Sequence, residues 1–200
     1  MTLIDPAPDL DLMRKMRAGD AEAFTALYRR HQGPVYRFAL LRSGSPDVAA
    51  DIVQEIFLGL FTNKIQFDPN RGALSSFLFG VARNLLLKRD EREHRYVAIP
   101  DQEDDDALAP IDPNPEPAAI LFARRETEAV HGALRQIAPH YRDVLILYEL
   151  HDLSYVEIAG VCGIDIGTVR SRLSRARARM ADLLQDFRPP SAARQLEATP

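Results

Sequence analysis

The sequence predicts an all-α protein with two helical domains joined by a flexible acidic linker. No period-2 run of β-branched residues occurs in the 200 residues, while apolar residues recur at helical spacing in both halves. Hydrophobic residues make up 46% and charged residues 27% of the chain, which is typical of a globular protein and excludes collagen-like and fully disordered classes. We expect domains at residues 1–97 and 119–188, a linker at 98–118 and a disordered tail at 189–200.

The N-terminal half contains three helical patterns. Asp20 can cap the first helix, because an aspartate at this position accepts hydrogen bonds from the free amides of the first turn. The second helix begins at Ser45-Pro46-Asp47, where the proline suits the first turn. The run FDPNRG at residues 67–72 is rich in turn-forming residues and predicts a loop. The expected helices cover about residues 20–41, 45–63 and 74–95.

A short acidic segment dominates the charge of the chain. Between Pro100 and Pro117 lie seven acidic residues, no Lys or Arg, and five prolines, which exclude a helix or a central strand. Without these seven negative charges the net charge changes from −4 to +3, so the whole-chain value is misleading about nucleic-acid binding. Two roles remain open for the segment: spacing and solubility, or a mimic of nucleic-acid charge that shields a basic surface of the same chain.

The C-terminal half predicts four helices, at about residues 118–137, 140–151, 155–162 and 168–187. Pro139 opens the second of them. The last two are short and are separated by a turn that contains Gly163 and Gly167. Two helices joined in this way have the arrangement of a helix-turn-helix motif, whose second helix enters the major groove of DNA.

The last helix has one apolar face and one cationic face. Val169, Leu173, Ala176 and Met180 fall on one stripe at helical spacing, which predicts burial. Five arginines and no acidic residue lie between Thr168 and Met180. Guanidinium groups suit both phosphates and guanine, so this pattern favours DNA binding. A merely solvated helix face is the alternative, although such faces usually mix the two signs of charge.

Three segments resemble the extracytoplasmic-function (ECF) RNA polymerase sigma factors. Residues 157–177 (EIAGVCGIDIGTVRSRLSRAR) resemble region 4.2, residues 51–61 (DIVQEIFLGLF) are similar to the region 2.2 helix, and residues 71–84 (RGALSSFLFGVARN) resemble regions 2.3 and 2.4. Their order also agrees, and together they span about residues 21–184. The resemblance implies a factor that binds core polymerase, recognises −35 and −10 promoter elements and directs transcription initiation. A helix-turn-helix regulator or adaptor without initiation activity is the alternative.

The residues of the region 2.2-like helix suggest an interaction surface without the family. Leu58 falls among polar side chains, and an apolar residue ringed by polar groups suits the centre of an interface. A lone exposed leucine is the alternative, because such residues are common. The resemblance implies that this face binds the β′ subunit of core polymerase. The candidate residues are Asp51, Gln54, Glu55 and Leu58.

The resemblance also implies two DNA-binding sites. The loop and helix of the N-terminal half would open the −10 element and hold a flipped base by stacking and hydrogen bonding. Phe77 stands where the family usually has Trp, and the lost indole N–H could alter promoter melting. The candidates for the −10 site are Phe67, Asp68, Arg71, Asn84 and Lys88. Without the family, Phe67 is interpreted as a core or loop-anchoring aromatic residue, and Asn84 can equally be an ordinary amide on the helix surface. The candidates for the −35 site are Thr168, Arg170, Ser171, Ser174 and Arg175.

An enzyme is the rival class, and the sequence argues against it. The five histidines show no metal-ligand spacing, and the chain has no nucleotide-binding glycine loop. Cys162 is the sole cysteine and is expected to be a small core residue. No cofactor, metal or small-molecule substrate is expected. The partners that the resemblance implies are core RNA polymerase, through its β′ and β subunits, promoter DNA and an anti-sigma factor. The chain has neither a secretory signal nor a membrane-length apolar run, so we expect a cytoplasmic protein.

Overall fold

The computed structural model describes residues 8–96 and 118–185, and no strand occurs within these two ranges. The predicted all-α class is therefore confirmed. The expected tail, and the expected linker except its last residue, lie outside the described residues. The helices are α1 (Asp9–Arg17), α2 (Ala21–Ser43), α3 (Pro46–Phe61), α4 (Leu74–Tyr96), α5 (Ala118–Arg135), α6 (Pro139–Glu149), α7 (Tyr155–Cys162) and α8 (Ile166–Leu183), with a 3-10 turn at Pro69–Arg71.

Side-chain caps begin the helices where the sequence predicted them. The Asp20 carboxylate accepts hydrogen bonds from the amides of Glu22 and Ala23, and the Ser45 hydroxyl accepts one from Val48. These bonds satisfy amides that have no partner inside the helix, and each such cap typically contributes about 1 kcal/mol. The caps therefore fix where α2 and α3 start.

Helix α1 was not predicted from the sequence. It is only nine residues long and follows Pro8, and its apolar residues Leu12, Met13 and Met16 are buried against α2. A helix this short is marginal in isolation, so its stability comes from that packing. The charge pattern does fit a helix, because aspartates lie in the first turn and basic residues in the last.

The buried apolar residues of the two halves form one continuous cluster. In the N-terminal half, α2, α3 and α4 pack around fully buried side chains such as Phe38, Ile56 and Leu78. In the C-terminal half, α6, α7 and α8 enclose Leu147 and Leu173. The apolar stripe predicted on α8 is confirmed, because Val169, Leu173 and Ala176 are buried and Met180 packs partly buried against them.

The two halves also pack on each other within the described residues. Helix α2 contacts α5 and α6, and α4 contacts α7. His151, just after α6, places its ring 4.5 Å from that of Phe79 on α4. Burial lowers the pKa of His151 to about 4, so its imidazole is neutral at physiological pH and fills space between the halves.

Substituting Gly59 with alanine should destabilise the protein by about 1–3 kcal/mol, because overpacking forces neighbouring groups to move. A Cβ at this position would lie 2.5 Å from Cδ1 and 2.7 Å from Cγ1 of Ile65. The Ile65 amide also donates to the Gly59 carbonyl, which keeps the two residues close. Urea unfolding followed by circular dichroism measures the change.

Gly160→Ala is the matched control, because nothing lies within 4 Å of a Cβ built at that position in α7. It should stabilise the protein by about 0.5–1 kcal/mol, because alanine has less conformational freedom than glycine in the unfolded chain and a higher helix propensity. Equal free energies of unfolding for the Gly59→Ala variant and the wild type would contradict the close approach of Ile65.

Candidate functional site

The exposed face of α3 carries the predicted polar and apolar groups together. Leu58 is 57% exposed, and the neighbouring side chains of Asp51, Gln54 and Glu55 are exposed as well. The helix thus presents one large apolar side chain among two carboxylates and an amide. This arrangement suits a partner surface on which basic residues surround an apolar contact.

Leu58 and Gln54 form one edge of an apolar groove between α2 and α3, with a volume of about 680 Å³. Aromatic residues line the groove: the Tyr28 and Phe57 rings lie 4.9 Å apart, and the Phe24 and Phe61 rings lie 5.4 Å apart. Exposed grooves of this kind with polar edges are typical of protein-binding surfaces. The sequence identified Leu58 but missed the aromatic residues that α2 contributes.

Phe61 is an exposed aromatic residue at the end of α3. Helical spacing alone would group it with the core residues Ile56 and Leu60, yet its side chain is 61% exposed. Phe61 is the last residue of α3. Its ring contacts the ring of Phe24, near the start of α2, at the periphery of the core. The side chain is therefore available to a partner.

Four of the five residues predicted for the −10 site line one cavity of about 470 Å³. Phe67 forms a buried wall of it, with its ring 5.4 Å from the ring of Phe77. Asp68 caps the following 3-10 turn by accepting a hydrogen bond from the Asn70 amide, which shapes the loop. The four residues that meet here are Phe67, Asp68, Arg71 and Asn84, and the last three are exposed.

Lys88 lies apart from this cavity. It follows Asn84 by one helical turn, but it lines a different depression between α3 and α4, beside Asp51 and Glu55. The structure therefore does not group Lys88 with the other −10 candidates.

The helix-turn-helix predicted in the C-terminal half is formed by α7 and α8. Gly163 ends α7 with φ of 66°, a left-handed conformation that glycine adopts without strain. Asp165 caps α8 by accepting from the Thr168 amide at 2.8 Å and from its hydroxyl at 2.6 Å. These hydrogen bonds lower the pKa of Asp165, so the cap stays ionised. The Thr168 hydroxyl is therefore committed to the cap.

The arginines on the cationic face of α8 differ in their partners within the described residues. Arg170, Ser171, Ser174 and Arg175 are exposed. The Arg175 guanidinium donates to the Tyr141 hydroxyl at 3.3 Å, and the Ser171 hydroxyl donates to the Thr168 carbonyl at 3.0 Å. Arg177 instead donates to Glu149 at 2.7 Å, and its guanidinium lies 5.0 Å from the centre of the Tyr148 ring. Four of the five residues predicted for the −35 site are thus exposed, whereas the hydroxyl of the fifth, Thr168, is held by Asp165.

A second apolar groove, of about 320 Å³, lies between α5, α6 and α8. Leu150 at its edge is 52% exposed. The sequence did not predict this groove, although the alternation of apolar and charged residues along α5 is a signal that could have found one side of it. Its lining includes Val130, Leu134, Leu145, Leu150, Met180 and Leu184.

The described residues offer little for metal or thiol chemistry. No group of three or more His, Cys, Asp or Glu side chains in those ranges could hold a metal ion. Cys162 is buried in the core, as predicted, and burial raises the pKa of its thiol to about 11. None of the described helices is long and apolar enough to cross a membrane.

Comparison with known proteins finds a matching family for each half of the chain. Residues 27–96 match the family described as Sigma-70 region 2, and residues 127–180 match Sigma-70, region 4. The chain is 33% identical over 162 residues to the ECF RNA polymerase sigma factor EcfG of Rhodopseudomonas palustris, covering 78% of this chain and 85% of that relative. The chain belongs to the ECF RNA polymerase sigma factors. A transcriptional regulator without initiation activity is therefore not favoured.

Two further similarities agree with this sigma-factor assignment. The chain is 34% identical over 158 residues to the ECF RNA polymerase sigma factor SigE of Mycolicibacterium smegmatis, a match that covers 79% of this chain and 60% of that relative. Its fold is similar to that of the sigma factor RpoE of Bartonella quintana, solved in complex with the anti-sigma factor NepR. The TM-score is 0.60 at 25% identity, with 77% of this chain and 91% of the other covered.

Proposed function

We propose that this sigma factor binds core RNA polymerase through the α2–α3 groove, opens the −10 element at the cavity beside α4, and reads the −35 element with α8. The observation that carries the proposal is the exposed, acid-free face of α8, presented by a helix-turn-helix in the same chain as the apolar groove. Residues 1–97 would form region 2 and residues 119–188 region 4. The polymerase supplies the chemistry, so the chain itself needs no catalytic activity, and it works in the cytoplasm where promoters are located.

At the −35 element, the exposed groups of α8 have the chemistry that base and phosphate contacts require. Arg170 and Arg175 can each donate two parallel hydrogen bonds to a guanine edge or to a phosphate. The Ser171 and Ser174 hydroxyls lie on the same face. Ser174 can donate or accept, whereas Ser171 donates to the Thr168 carbonyl and can still accept. Thr168 is held by Asp165, so it contributes by fixing the start of α8.

At the −10 element, the cavity beside α4 offers stacking and hydrogen-bonding groups at one place. Phe67 and Phe77 supply aromatic surface, and the Asn84 amide can both donate to and accept from a base edge. Arg71 at the rim can pair with a phosphate. These groups fit an unpaired base that has left the duplex.

Two apolar grooves give this sigma factor two protein contacts. We assign the α2–α3 groove, with its acidic edge, to the β′ subunit and the α5–α6–α8 groove to the β subunit. An anti-sigma factor that covers either groove would block polymerase binding. The RpoE–NepR complex, whose sigma factor resembles this chain, supports control of this kind.

Run-off transcription tests the proposed function directly. Purified core polymerase is supplied with a library of fragments of the source genome, with and without this protein. New start sites that share spaced −35 and −10 motifs are the expected result. Binding to core polymerase without any new start site would contradict the proposal.

Arg175→Ala should weaken use of a promoter found in this way by about tenfold, because one lost base contact typically costs 1–3 kcal/mol. Binding to core polymerase should not change, because Arg175 is exposed in the C-terminal half, whereas the α2–α3 groove lies in the N-terminal half. Gel-shift titration of the holoenzyme on a promoter fragment measures the first quantity, and a pull-down with core polymerase measures the second.

Arg177→Ala is the matched control for Arg175→Ala. It removes the same charge from the same helix, but this guanidinium is already paired with Glu149. Because Arg177 also lines the α5–α6–α8 groove, core binding of this variant is checked in the same pull-down and promoter affinity is compared for the assembled holoenzyme. We expect promoter affinity within about twofold of wild type, as for most surface changes. An equal loss of promoter binding in both variants would show that α8 contributes only general positive charge.

A further inference from the structure

A buried ion cluster joins the two halves of the chain. The Asp143 carboxylate on α6 is 1% exposed and accepts from Nε of Arg42 at 2.7 Å and from Nε of Arg83 at 2.8 Å. Asp143 belongs to the C-terminal half, whereas both arginines belong to the N-terminal half. One carboxylate therefore holds α2 and α4 against α6.

The surroundings make Asp143 the decisive charge in this cluster. Arg42 is 3% exposed and has one further carboxylate partner, Asp90, at 2.6 Å. Arg142 adds another buried cation, which donates to the Arg42 carbonyl at 2.6 Å. Without Asp143, three buried or nearly buried guanidinium groups would be left with the single carboxylate of Asp90. The Nε groups of Arg42 and Arg83 that Asp143 had bound could then be hydrated only if the two halves separated.

The same closed arrangement places α7 over the candidate −10 cavity. Val156, Glu157, Gly160 and Val161 of α7 line that cavity together with the residues of the N-terminal half. The Glu157 carboxylate accepts from the Ser76 hydroxyl of α4 at 3.2 Å. Hydrogen bonds from Ser154 lower the pKa of Glu157, so a negative charge lies where a DNA strand would enter.

We propose that this closed arrangement is an autoinhibited state, in which Asp143 is the latch that keeps α7 over the −10 cavity. Single-stranded DNA and α7 compete for the same space, and the Glu157 charge repels phosphates. Opening of the latch exposes the cavity and frees the helix-turn-helix for a distant site on the DNA. The inference rests on the proposed −10 role of the cavity, but the latch itself is a claim about conformation.

A distance between the halves tests the latch without DNA. Spin labels are attached to the full-length chain at the exposed positions Thr62→Cys and Ala178→Cys, one in each half, and the distance distribution is measured by pulsed electron resonance. Cys162 is buried, so the labels react with the introduced cysteines. Wild type should give one narrow distance distribution, and Asp143→Asn should give a longer and broader one.

Glu149→Gln is the matched control, because it is also an acid-to-amide change on α6. Its partner Arg177 lies within the C-terminal half, so the distance should stay that of wild type. Arg83→Gln removes one of the two arginine partners of Asp143, in the N-terminal half, and should lengthen the distance as well. It keeps the test decisive if Asp143→Asn proves poorly folded by circular dichroism. An unchanged distance in a folded Asp143→Asn or Arg83→Gln variant overturns the latch.

Binding of single-stranded DNA tests the inhibition. The probe is a fluorescent 12-nucleotide oligomer of random sequence, followed by anisotropy. Apparent affinity scales with the open fraction, so Asp143→Asn should bind about fivefold more tightly or better, and Glu149→Gln should match wild type. A longer distance without a gain in affinity overturns autoinhibition.

Asn84→Ala in the Asp143→Asn background separates this inference from the proposed function. Loss of the gained affinity supports both the inhibition and the −10 role of the cavity. A gain that persists without Asn84, with the lengthened distance retained, overturns the −10 assignment of that residue while the latch stands.

Discussion

Leu58→Asp should lower the affinity of this sigma factor for core RNA polymerase on the order of 100-fold and abolish promoter-specific transcription. A hot-spot residue of an interface contributes about 2 kcal/mol or more, and an aspartate in place of Leu58 would also have to lose its hydration in the complex. Leu58 is 57% exposed, so the fold does not depend on it. Anisotropy titration of the labelled protein with core polymerase measures the affinity, and a thermal melt followed by circular dichroism checks the fold.

Leu10→Asp provides the control for this substitution. Leu10 is 53% exposed on α1 and lies outside the lining of the α2–α3 groove. The same chemical change should therefore leave polymerase affinity within about twofold of wild type, as expected for a surface site. Wild-type affinity in the Leu58→Asp variant would place the polymerase interface elsewhere on the molecule.

Arg142→Ala should destabilise the protein by about 3 kcal/mol or more, which is the largest stability effect we expect of a single substitution. The buried guanidinium donates to the carbonyls of Arg42, Arg135 and Ile137 at 2.6–3.3 Å. Hydrogen bonds from a charged donor contribute about 1.5–3 kcal/mol each, and carbonyls that stay buried without a partner incur a desolvation penalty. These bonds tie the end of α5 to α6 and to α2. Urea unfolding measures the loss.

Arg142→Lys and Arg14→Ala complete this experiment. An ammonium group cannot reproduce the forked geometry that reaches several carbonyls, so Arg142→Lys should recover only part of the loss. Arg14 is exposed and pairs with Asp11 on its own helix. Its substitution should change stability by less than about 0.5 kcal/mol, as for exposed ion pairs. Similar stabilities for Arg142→Ala and Arg14→Ala would contradict the role of the buried guanidinium.

Features that depend on a few neighbouring residues were predictable from the sequence. Caps at Asp20, Ser45 and Asp165 require only the amides of the next two or three residues, so composition at each helix start is sufficient. The division of α8 into an apolar and a cationic face follows from the 3.6-residue period alone. The exposure of Leu58 follows for the same reason.

Features that depend on packing between helices were not predictable. Lys88 lies one turn from Asn84, yet it lines the depression between α3 and α4, with Asp51 and Glu55, and does not line the cavity. Arg177 looks equivalent to Arg175 in the sequence, and only the position of α6 gives it Glu149 as a partner. Periodicity assigns a face to each side chain, but it does not say what covers that face.

The sequence by itself determined the all-α class, the helix-turn-helix and the family to which the chain belongs, because each depends on local patterns repeated along the chain. The tertiary structure alone decided that Asp143 meets Arg42 and that α7 covers the cavity beside α4. Asp143 and Arg42 are 101 positions apart, and no local pattern encodes such a contact. It arises only when the helices of the two halves pack together and the buried charges between them have to pair.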